Sequence, residues 1–212
     1  MQKKNIVILI SGSGSNLQSF IDCQKLNRLA GTISAVISNK ADAYGLIRAK
    51  SANIPAISIK HTDYSSREAF DQALSDQIEQ YNPDLIILAG FMRILTSNFV
   101  AKYRGKLLNI HPSLLPKYPG LHTHQRAIEN KDVEHGTSIH FVTEELDGGP
   151  LIAQAKILIS DKDNVDSLFK KIQKLEHKIY PQIAQMFLEN KIELKQDDIY
   201  FENSKLEAPF IL

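Results

Sequence analysis

The first apolar run of the chain constrains its fold more than any other stretch. Residues 6–10 are all apolar and mostly β-branched. Such a run predicts a strand buried on both faces, and strands of that kind occur in parallel sheets that helices cover on each side. Short strand-like runs recur at residues 34–38, 54–59, 85–89 and 106–111, with helical stretches between them. The pattern therefore predicts an α/β fold with a mostly parallel central sheet.

The alternation of strand and helix stops after residue 111. Residues 138–143 and 151–159 predict two further strands, and the short connection between them implies an antiparallel hairpin. Residues 164–190 predict one long helix, with an inward stripe that contains Val165, Leu168, Phe169, Ile172, Leu175 and Ile179. Short strand-like pieces follow from Lys191. A chain of 212 residues without repeats or a linker-like segment predicts a single domain.

Two helix starts are predicted from capping residues. Asp42 can cap a helix that runs to about Ala52, and residues 65–68 have the form of a capping box. The helix after this box carries an apolar stripe and ends before Pro83, which cannot continue it. The stripe consists of Phe70, Ala73, Leu74, Ile78 and Tyr81.

The glycine loop, residues 11–16, joins the first strand to a helix. Its sequence is Ser-Gly-Ser-Gly-Ser-Asn. Free backbone N–H groups and the positive end of a helix dipole favour a bound anion there, so the loop predicts a phosphate site in a Rossmann-like half. A dinucleotide fingerprint requires glycine where Leu17 stands, and the lysine of a Walker loop is absent. A single phosphate fits better than a nucleotide triphosphate, while a turn that merely needs glycine geometry remains the alternative.

The strand at residues 106–111 predicts a reaction centre. Asn109 and His111 project to one face because side chains alternate along a strand, and Pro112 ends regular pairing beside the imidazole. An amide N–H and an imidazolium together suit a reaction that passes through an oxyanion. Asp147 precedes two glycines and is either a turn residue or a partner of His111. A carboxylate beside an imidazole stabilises the charged ring.

Composition excludes several partners. The formal net charge is +1, from 25 basic and 24 acidic residues that are mixed along the chain, so we expect no nucleic acid partner. No apolar run approaches the roughly 20 residues of a membrane span. Cys23 is the only cysteine, which excludes an internal disulfide and fits a cytoplasmic protein. The spacing of His122, His124, His135 and His140 matches no metal motif, so no metal is expected.

Taken together, these motifs closely resemble the folate-dependent phosphoribosylglycinamide formyltransferases of purine synthesis. The resemblance covers nearly the whole chain except about the last 20 residues. It is carried by residues 10–18, 38–43, 88–95, 109–123, 134–138 and 145–150. The pair formed by residues 109–116 and the Asp-Gly-Gly-Pro stretch at 147–150 is its most specific part.

The resemblance implies the formyltransferase fold and a reaction between two small molecules. 10-Formyltetrahydrofolate would donate a formyl group to the amine of glycinamide ribonucleotide, without a metal or a covalent enzyme intermediate. Residues 1–105 would form the phosphate-binding half, and residues 106–212 the catalytic and folate-binding half.

The resemblance also implies roles for individual residues. The catalytic residues would be Asn109, His111 and Asp147. The substrate phosphate would bind Gly14, Ser15 and Asn16. The folate would contact Arg67, Met92, Arg93, Ile94, Leu95 and Asn109. Its position in the long helix alone predicts that Glu176 lies on a solvated face. The resemblance implies instead that Glu176 contacts glycinamide ribonucleotide.

Other functions remain open from the sequence. Methionyl-tRNA formyltransferase and formyltetrahydrofolate hydrolase share the formyl chemistry, but the first usually adds a C-terminal domain and a basic surface, and the second an N-terminal regulatory domain. A non-catalytic module that binds a phosphate ligand would explain the glycine loop but not Asn109, His111 and Asp147 together. A nicotinamide oxidoreductase fails at Leu17.

Overall fold

The computed structural model describes residues 3–212, which form six α-helices and eleven strands. The strands are β1 Lys4–Ile10, β2 Gly31–Ser38, β3 Ala56–Ser58, β4 Leu85–Leu88, β5 Leu107–His111, β6 Glu134–Phe141, β7 Leu151–Leu158, β8 Ile192–Lys195, β9 Asp198–Phe201, β10 Ser204–Lys205 and β11 Phe210–Ile211. The helices are α1 Ser15–Lys25, α2 Tyr44–Ser51, α3 Arg67–Glu79, α4 Ser97–Lys102, α5 Thr123–Glu129 and α6 Val165–Leu188.

Eight strands form one central sheet in the order β11-β7-β6-β5-β4-β1-β2-β3. Neighbouring strands within the part β5-β4-β1-β2-β3 pair in parallel, whereas β5–β6 and β6–β7 are antiparallel pairs. The predicted α/β fold with its antiparallel hairpin is thereby confirmed. Strands β8, β9 and β10 form a separate antiparallel sheet. Strand β5 is the boundary at which the central sheet changes from parallel to antiparallel pairing.

Strand β1 is buried on both faces, as its continuous apolar sequence predicts. Ile6, Ile8 and Ile10 contribute to the core that includes side chains of α1, α2 and α6, while Val7 and Leu9 contribute to the core with α3 and α4. The same alternation holds in β5, where Leu108 and Ile110 join the first core and Leu107 joins the second. Asn109 and His111 therefore project toward the face that carries α3 and α4.

Two of the predicted helix caps were wrong by one residue. The N-cap of α2 is Ala43 and not Asp42, and no side chain caps this helix. Gly45 N instead donates to Gly12 O at 3.0 Å, so the glycine loop satisfies part of the helix start. The N-cap of α3 is Ser66 and not Ser65, and its hydroxyl oxygen accepts from Ala69 N at 3.1 Å.

The inward stripe predicted for α6 was partly wrong. Leu168, Ile172 and Ile179 are buried, but Val165 is 40% exposed and Phe169 is 47% exposed. Val165 is the first residue of the helix. Phe169 packs its ring edge-to-face against His124 at a centroid distance of 5.6 Å, so it covers a cleft and not the core.

The central sheet contains strands from both of the expected halves, residues 1–105 and 106–212. Strand β5, from the second part of the chain, pairs directly with β4 from the first. The assignment of separate phosphate-binding and catalytic halves stays a prediction. Among residues 3–212, no helix is both long enough and apolar enough to cross a lipid bilayer.

The hydroxyl of Tyr180 binds α6 to the centre of the sheet by hydrogen bonds. Its side chain is fully buried, and its hydroxyl lies 2.8 Å from Leu108 O and 3.1 Å from Leu88 O. The O–H therefore donates between neighbouring strands β4 and β5. Glu176 lies one helical turn before Tyr180, so this contact also sets the height of Glu176 above the sheet.

Replacing Tyr180 with Phe should destabilise the protein without changing its core volume much. Two buried carbonyls lose their shared donor, so the free energy of unfolding should fall by about 1–3 kcal/mol. Urea denaturation measures this change. Tyr81→Phe, at a partly buried tyrosine just beyond α3, is the matched control. Equal stability of the two variants would show that the Tyr180 hydroxyl does not hold the helix.

Candidate active site

Three loops at the carboxyl ends of parallel strands surround the candidate site. The glycine loop follows β1, residues 89–96 follow β4, and residues 112–122 follow β5. Two clefts open between them. The glycine-loop cleft is lined by the glycine loop, Gly90, Pro112, His124 and one face of α6. The second cleft is lined by residues 93–95, Asn109, His140 and residues 142–147. Asn109 and Ile110 of β5 face opposite clefts.

The glycine loop ends at the start of helix α1, which has no side-chain cap. Gly14 is the N-cap, with a left-handed backbone at φ 69°, and it supplies no side-chain cap. The first N–H groups of α1 therefore have no partner within the helix, which leaves them available to an anion. Gln173 Nε2 of α6 donates to Ser15 Oγ at 3.1 Å, so α6 reaches the loop from across the cleft. The predicted phosphate residues Gly14, Ser15 and Asn16 all line this cleft.

Glu176 is a buried carboxyl at the floor of the glycine-loop cleft. It is only 9% exposed, so the solvated helix face expected from its position alone was wrong. Burial raises its pKa to about 7, although hydrogen bonds from Asn16 and Thr137 act in the opposite direction. Asn16 Nδ2 donates to Glu176 Oε2 at 3.0 Å. The carboxyl therefore sits next to the predicted phosphate site in a form that protonates near neutral pH.

His140 determines which end of the Asn109 amide faces the second cleft. His140 Nδ1 lies 2.9 Å from Phe141 O and must carry the hydrogen of that bond. Burial lowers the pKa of His140, so its ring is neutral and Nε2 is an acceptor. Nε2 lies 3.1 Å from Asn109 Nδ2, which donates to it. The second hydrogen of the same NH₂ group remains available for a substrate oxygen.

His111 and Asp147 form the ion pair that the sequence could not establish. Asp147 Oδ2 lies 3.3 Å from His111 Nδ1, with side chains only 8% and 7% exposed. His111 Nε2 lies 2.8 Å from Tyr118 O. Both ring nitrogens of His111 thus lie close to oxygen acceptors. Gly120 N donates to Asp147 Oδ2 at 2.8 Å, so the loop after β5 covers the pair.

The predicted folate residues divide between the two clefts. Arg93, Ile94 and Leu95 line the second cleft together with Asn109, whereas Met92 lines the glycine-loop cleft. Arg93 Nε is buried without a hydrogen-bond partner within the part of the chain that the structure describes. Arg67 is exposed in the first turn of α3 and lines neither cleft. Its predicted contact with a folate stays a prediction, as do the roles of the other site residues.

Two of the histidines, His124 and His135, form a pair. His124 Nδ1 lies 2.9 Å from His135 Nε2, and burial lowers the pKa of His135 to about 4. Burial also lowers the pKa of His124. Within residues 3–212, no group of three or more His, Cys, Asp or Glu residues is arranged to hold a metal ion. His124 and His135 are therefore a neutral, hydrogen-bonded pair at neutral pH.

The sequence did not identify three residues that touch the predicted site. His140 lies directly opposite Asn109 in the β5–β6 register, which depends on strand pairing that no local motif reveals. Tyr118 contacts His111 through its backbone carbonyl, so its side-chain type carries no signal. Gln173 precedes Glu176 by one helical turn, and this spacing could have placed both on the same cleft.

Residues 4–184 match the sequence model of the family described as formyl transferase. The chain therefore belongs to the formyl transferases, in agreement with its fold and its two clefts. It is 52% identical to the phosphoribosylglycinamide formyltransferase of Escherichia coli K12 over 202 residues, which is 95% of each chain. The enzyme of the same name from Haemophilus influenzae is 46% identical over 96% of each chain.

A solved structure agrees with the sequence comparison. The phosphoribosylglycinamide formyltransferase of Coxiella burnetii superposes with a TM-score of 0.96 and 44% identity over the whole of both chains. Within the formyl transferases, the chain is a member of the phosphoribosylglycinamide formyltransferase family. The resemblance identified from the sequence motifs is confirmed.

The raised pKa of Glu176 predicts that the stability of the protein depends on pH. The folded state holds this proton up to about pH 7, whereas the ordinary carboxyl pKa is 4.5. The folded state thus binds more protons than the unfolded state between these values, so stability conferred below pH 4.5 is lost as pH rises toward 7. Glu176→Gln removes this dependence.

We expect the stability of wild type relative to Glu176→Gln to fall between pH 4 and pH 8, by on the order of 3 kcal/mol. Chemical denaturation of both proteins across this range measures the difference. Glu207→Gln, which removes an exposed carboxyl, is the matched control. A difference that is constant with pH would contradict the assignment of a raised pKa to Glu176.

Proposed function

We propose that this chain transfers a formyl group from 10-formyltetrahydrofolate to the primary amine of glycinamide ribonucleotide, as a step of purine synthesis. The products would be formylglycinamide ribonucleotide and tetrahydrofolate. The relatives at 52% and 46% identity, which match over almost their full length, carry the name of this activity.

One observation supports this function more than any other. Strand β5 separates the glycine-loop cleft from the second cleft, and the His111–Asp147 ion pair lies at its end. A ribonucleotide bound through its phosphate at the glycine loop and a folate bound in the second cleft would meet at this point. A module that only binds phosphate has no use for a buried ion pair beside a second cleft.

The second cleft suits a folate by the character of its lining. Apolar side chains of Ile94, Leu95 and Leu146 provide a surface for an aromatic ring system. Arg93 and the backbone around residues 142–147 supply polar groups at its rim, and Arg93 Nε is a buried donor that a ligand can satisfy. We assign the folate to this cleft and the ribonucleotide to the glycine-loop cleft.

The proposed chemistry needs a donor for negative charge and a route for a proton. When the amine attacks the formyl carbon, a C–N bond forms and the formyl oxygen becomes negative. Asn109 Nδ2 and protonated His111 would donate to this oxygen, and Asp147 would keep His111 charged. Collapse then breaks the bond to the folate nitrogen, which receives a proton that the amine releases.

His111 must change partners for this step. Its Nε2–H is bound to Tyr118 O, so the loop around Tyr118 has to yield that hydrogen bond before a substrate oxygen can accept it. The carboxylate contact at Nδ1 can persist while this exchange takes place. We also infer that the reaction occurs in the cytoplasm, since the only cysteine in the sequence is Cys23.

A direct assay separates the proposed function from its alternatives. The protein is mixed with 10-formyltetrahydrofolate, and release of the deformylated folate is followed by absorbance with and without glycinamide ribonucleotide. Turnover that requires the ribonucleotide supports the proposal. Turnover without an acceptor indicates a hydrolase, a requirement for initiator tRNA indicates the other transferase, and no turnover indicates a binding module.

Asp147→Asn should lower kcat by about 100-fold or more, because the charge that stabilises the oxyanion is no longer maintained. KM for both substrates should change little. Asp161→Asn, at an exposed loop carboxylate, is the control. Full turnover by Asp147→Asn would remove this residue from the chemistry.

A further inference from the structure

Helix α2 holds the glycine loop from the side opposite the cleft. Two successive carbonyls of the loop are bound to this helix: Gly12 O accepts from Gly45 N at 3.0 Å, and Ser13 O accepts from Arg48 Nε at 2.8 Å. The backbones also touch, because a Cβ placed on Gly14 would lie 2.7 Å from Gly45 Cα. No side chain fits between the loop and α2 at this point.

These two carbonyl contacts determine where the loop N–H groups point. A trans peptide unit is planar, so its C=O and the following N–H point in opposite directions. The carbonyls of Gly12 and Ser13 point to α2, and the N–H groups of Ser13 and Gly14 therefore point away from it. The cleft lies on that side, since the loop lines it and no residue of α2 does.

The glycine-loop cleft lacks a strong cation of its own. Within the described chain, its lining includes no lysine and no arginine, but it does include the buried Glu176. A bound phosphate monoester carries about −1.5 to −2 charges near pH 7. Arg48 contacts the back of the loop, so its positive charge acts through one layer of backbone.

Arg48 is held in place by three contacts and is not a mobile surface side chain. Besides Ser13 O, its guanidinium donates from Nη1 to Gln18 Oε1 at 3.0 Å. The same group stacks over the ring of Tyr44 at 5.0 Å from the centroid. Gln18 lies on α1, so Arg48 links α2, the glycine loop and α1 in one arrangement.

We infer that Arg48 is a positioning residue for the substrate phosphate, which it does not touch. It turns the Ser13 carbonyl away from the anion, directs the Gly14 N–H into the cleft and supplies the positive charge that the cleft lining lacks. This inference rests on the proposed function, in that it takes the ligand of the glycine loop to be a phosphate monoester.

Steady-state kinetics of the full-length protein test the inference. Arg48→Met should raise KM for glycinamide ribonucleotide about tenfold or more. This is the size expected for the loss of the charge-assisted hydrogen bond from Arg48 Nε to Ser13 O. The inhibition constant of inorganic phosphate should rise by a similar factor. kcat and KM for the formyl donor should stay within about twofold. Arg48→Lys, which keeps the charge but lacks the planar fork, should lie between wild type and Arg48→Met.

Two comparisons distinguish positioning of the phosphate from a general structural effect. Arg28→Met makes the same change in net charge at an exposed arginine and should leave every constant unchanged. The unphosphorylated riboside of glycinamide should be used equally well by wild type and Arg48→Met. A parallel loss of kcat/KM for the riboside, or an unchanged KM for the ribonucleotide, would overturn the inference.

Thermal unfolding with inorganic phosphate separates this inference from the proposed function. Millimolar phosphate should raise the Tm of wild type and of Arg28→Met, raise it much less for Arg48→Met, and have an intermediate effect on Arg48→Lys. If wild type shows no turnover with glycinamide ribonucleotide but this pattern holds, the proposed function fails and the role of Arg48 stands. Equal stabilisation of all four proteins by phosphate would remove the role of Arg48 even in an active enzyme.

Discussion

The parallel pairing of β1, β4 and β5 is the constraint on which the rest of the structure depends. Parallel strands end at the same edge of a sheet, and the register here aligns Leu9 with Leu88 and Leu88 with Asn109. Within two residues of this row lie the start of the glycine loop, Gly90 and His111. Loops that are far apart in the sequence therefore meet, as ligand-binding loops do at the carboxyl ends of α/β sheets.

The change of pairing direction at β5 completes the site. Strand β6 runs antiparallel to β5 and places His140 opposite Asn109. The connection from β6 to β7 returns toward the carboxyl end of β5 and carries Asp147 back to His111. A sheet that stayed parallel here would need a crossover helix at this place and could not return the carboxylate through so short a connection.

The sequence predicted most secondary-structure elements but not the contacts between elements that are distant in the chain. Apolar runs predicted every strand of the parallel region, because burial on both faces leaves a continuous local signal. The distance between His111 and Asp147 depends on how the β6–β7 hairpin docks, which no stretch of sequence encodes alone. Glu176 was expected to be solvated, since helical position does not reveal that Asn16 and Thr137 would surround it.

Two of the errors in local prediction have a common physical reason. The cap of α2 was misplaced because a carbonyl of the glycine loop, and not a side chain, binds the helix start. Phe169 was expected in the core because periodicity cannot distinguish an apolar face that packs from one that lines a cleft. In both cases a feature of the proposed site replaced the ordinary structural solution, which is where local rules are expected to fail.

If His111 acts as proposed, the carbonyl of Tyr118 affects how strongly the site binds the transition state relative to the substrate. It already accepts the hydrogen of His111 Nε2 in the free protein. In the proposed reaction, a neutral formyl oxygen would only replace one neutral acceptor with another and gain little. An oxygen that has become negative would form a stronger, charge-assisted hydrogen bond with His111 and would displace the Tyr118 carbonyl. In the proposed reaction, the resting contact would thus reserve the binding energy of His111 for the transition state, which is the condition under which binding energy accelerates a reaction.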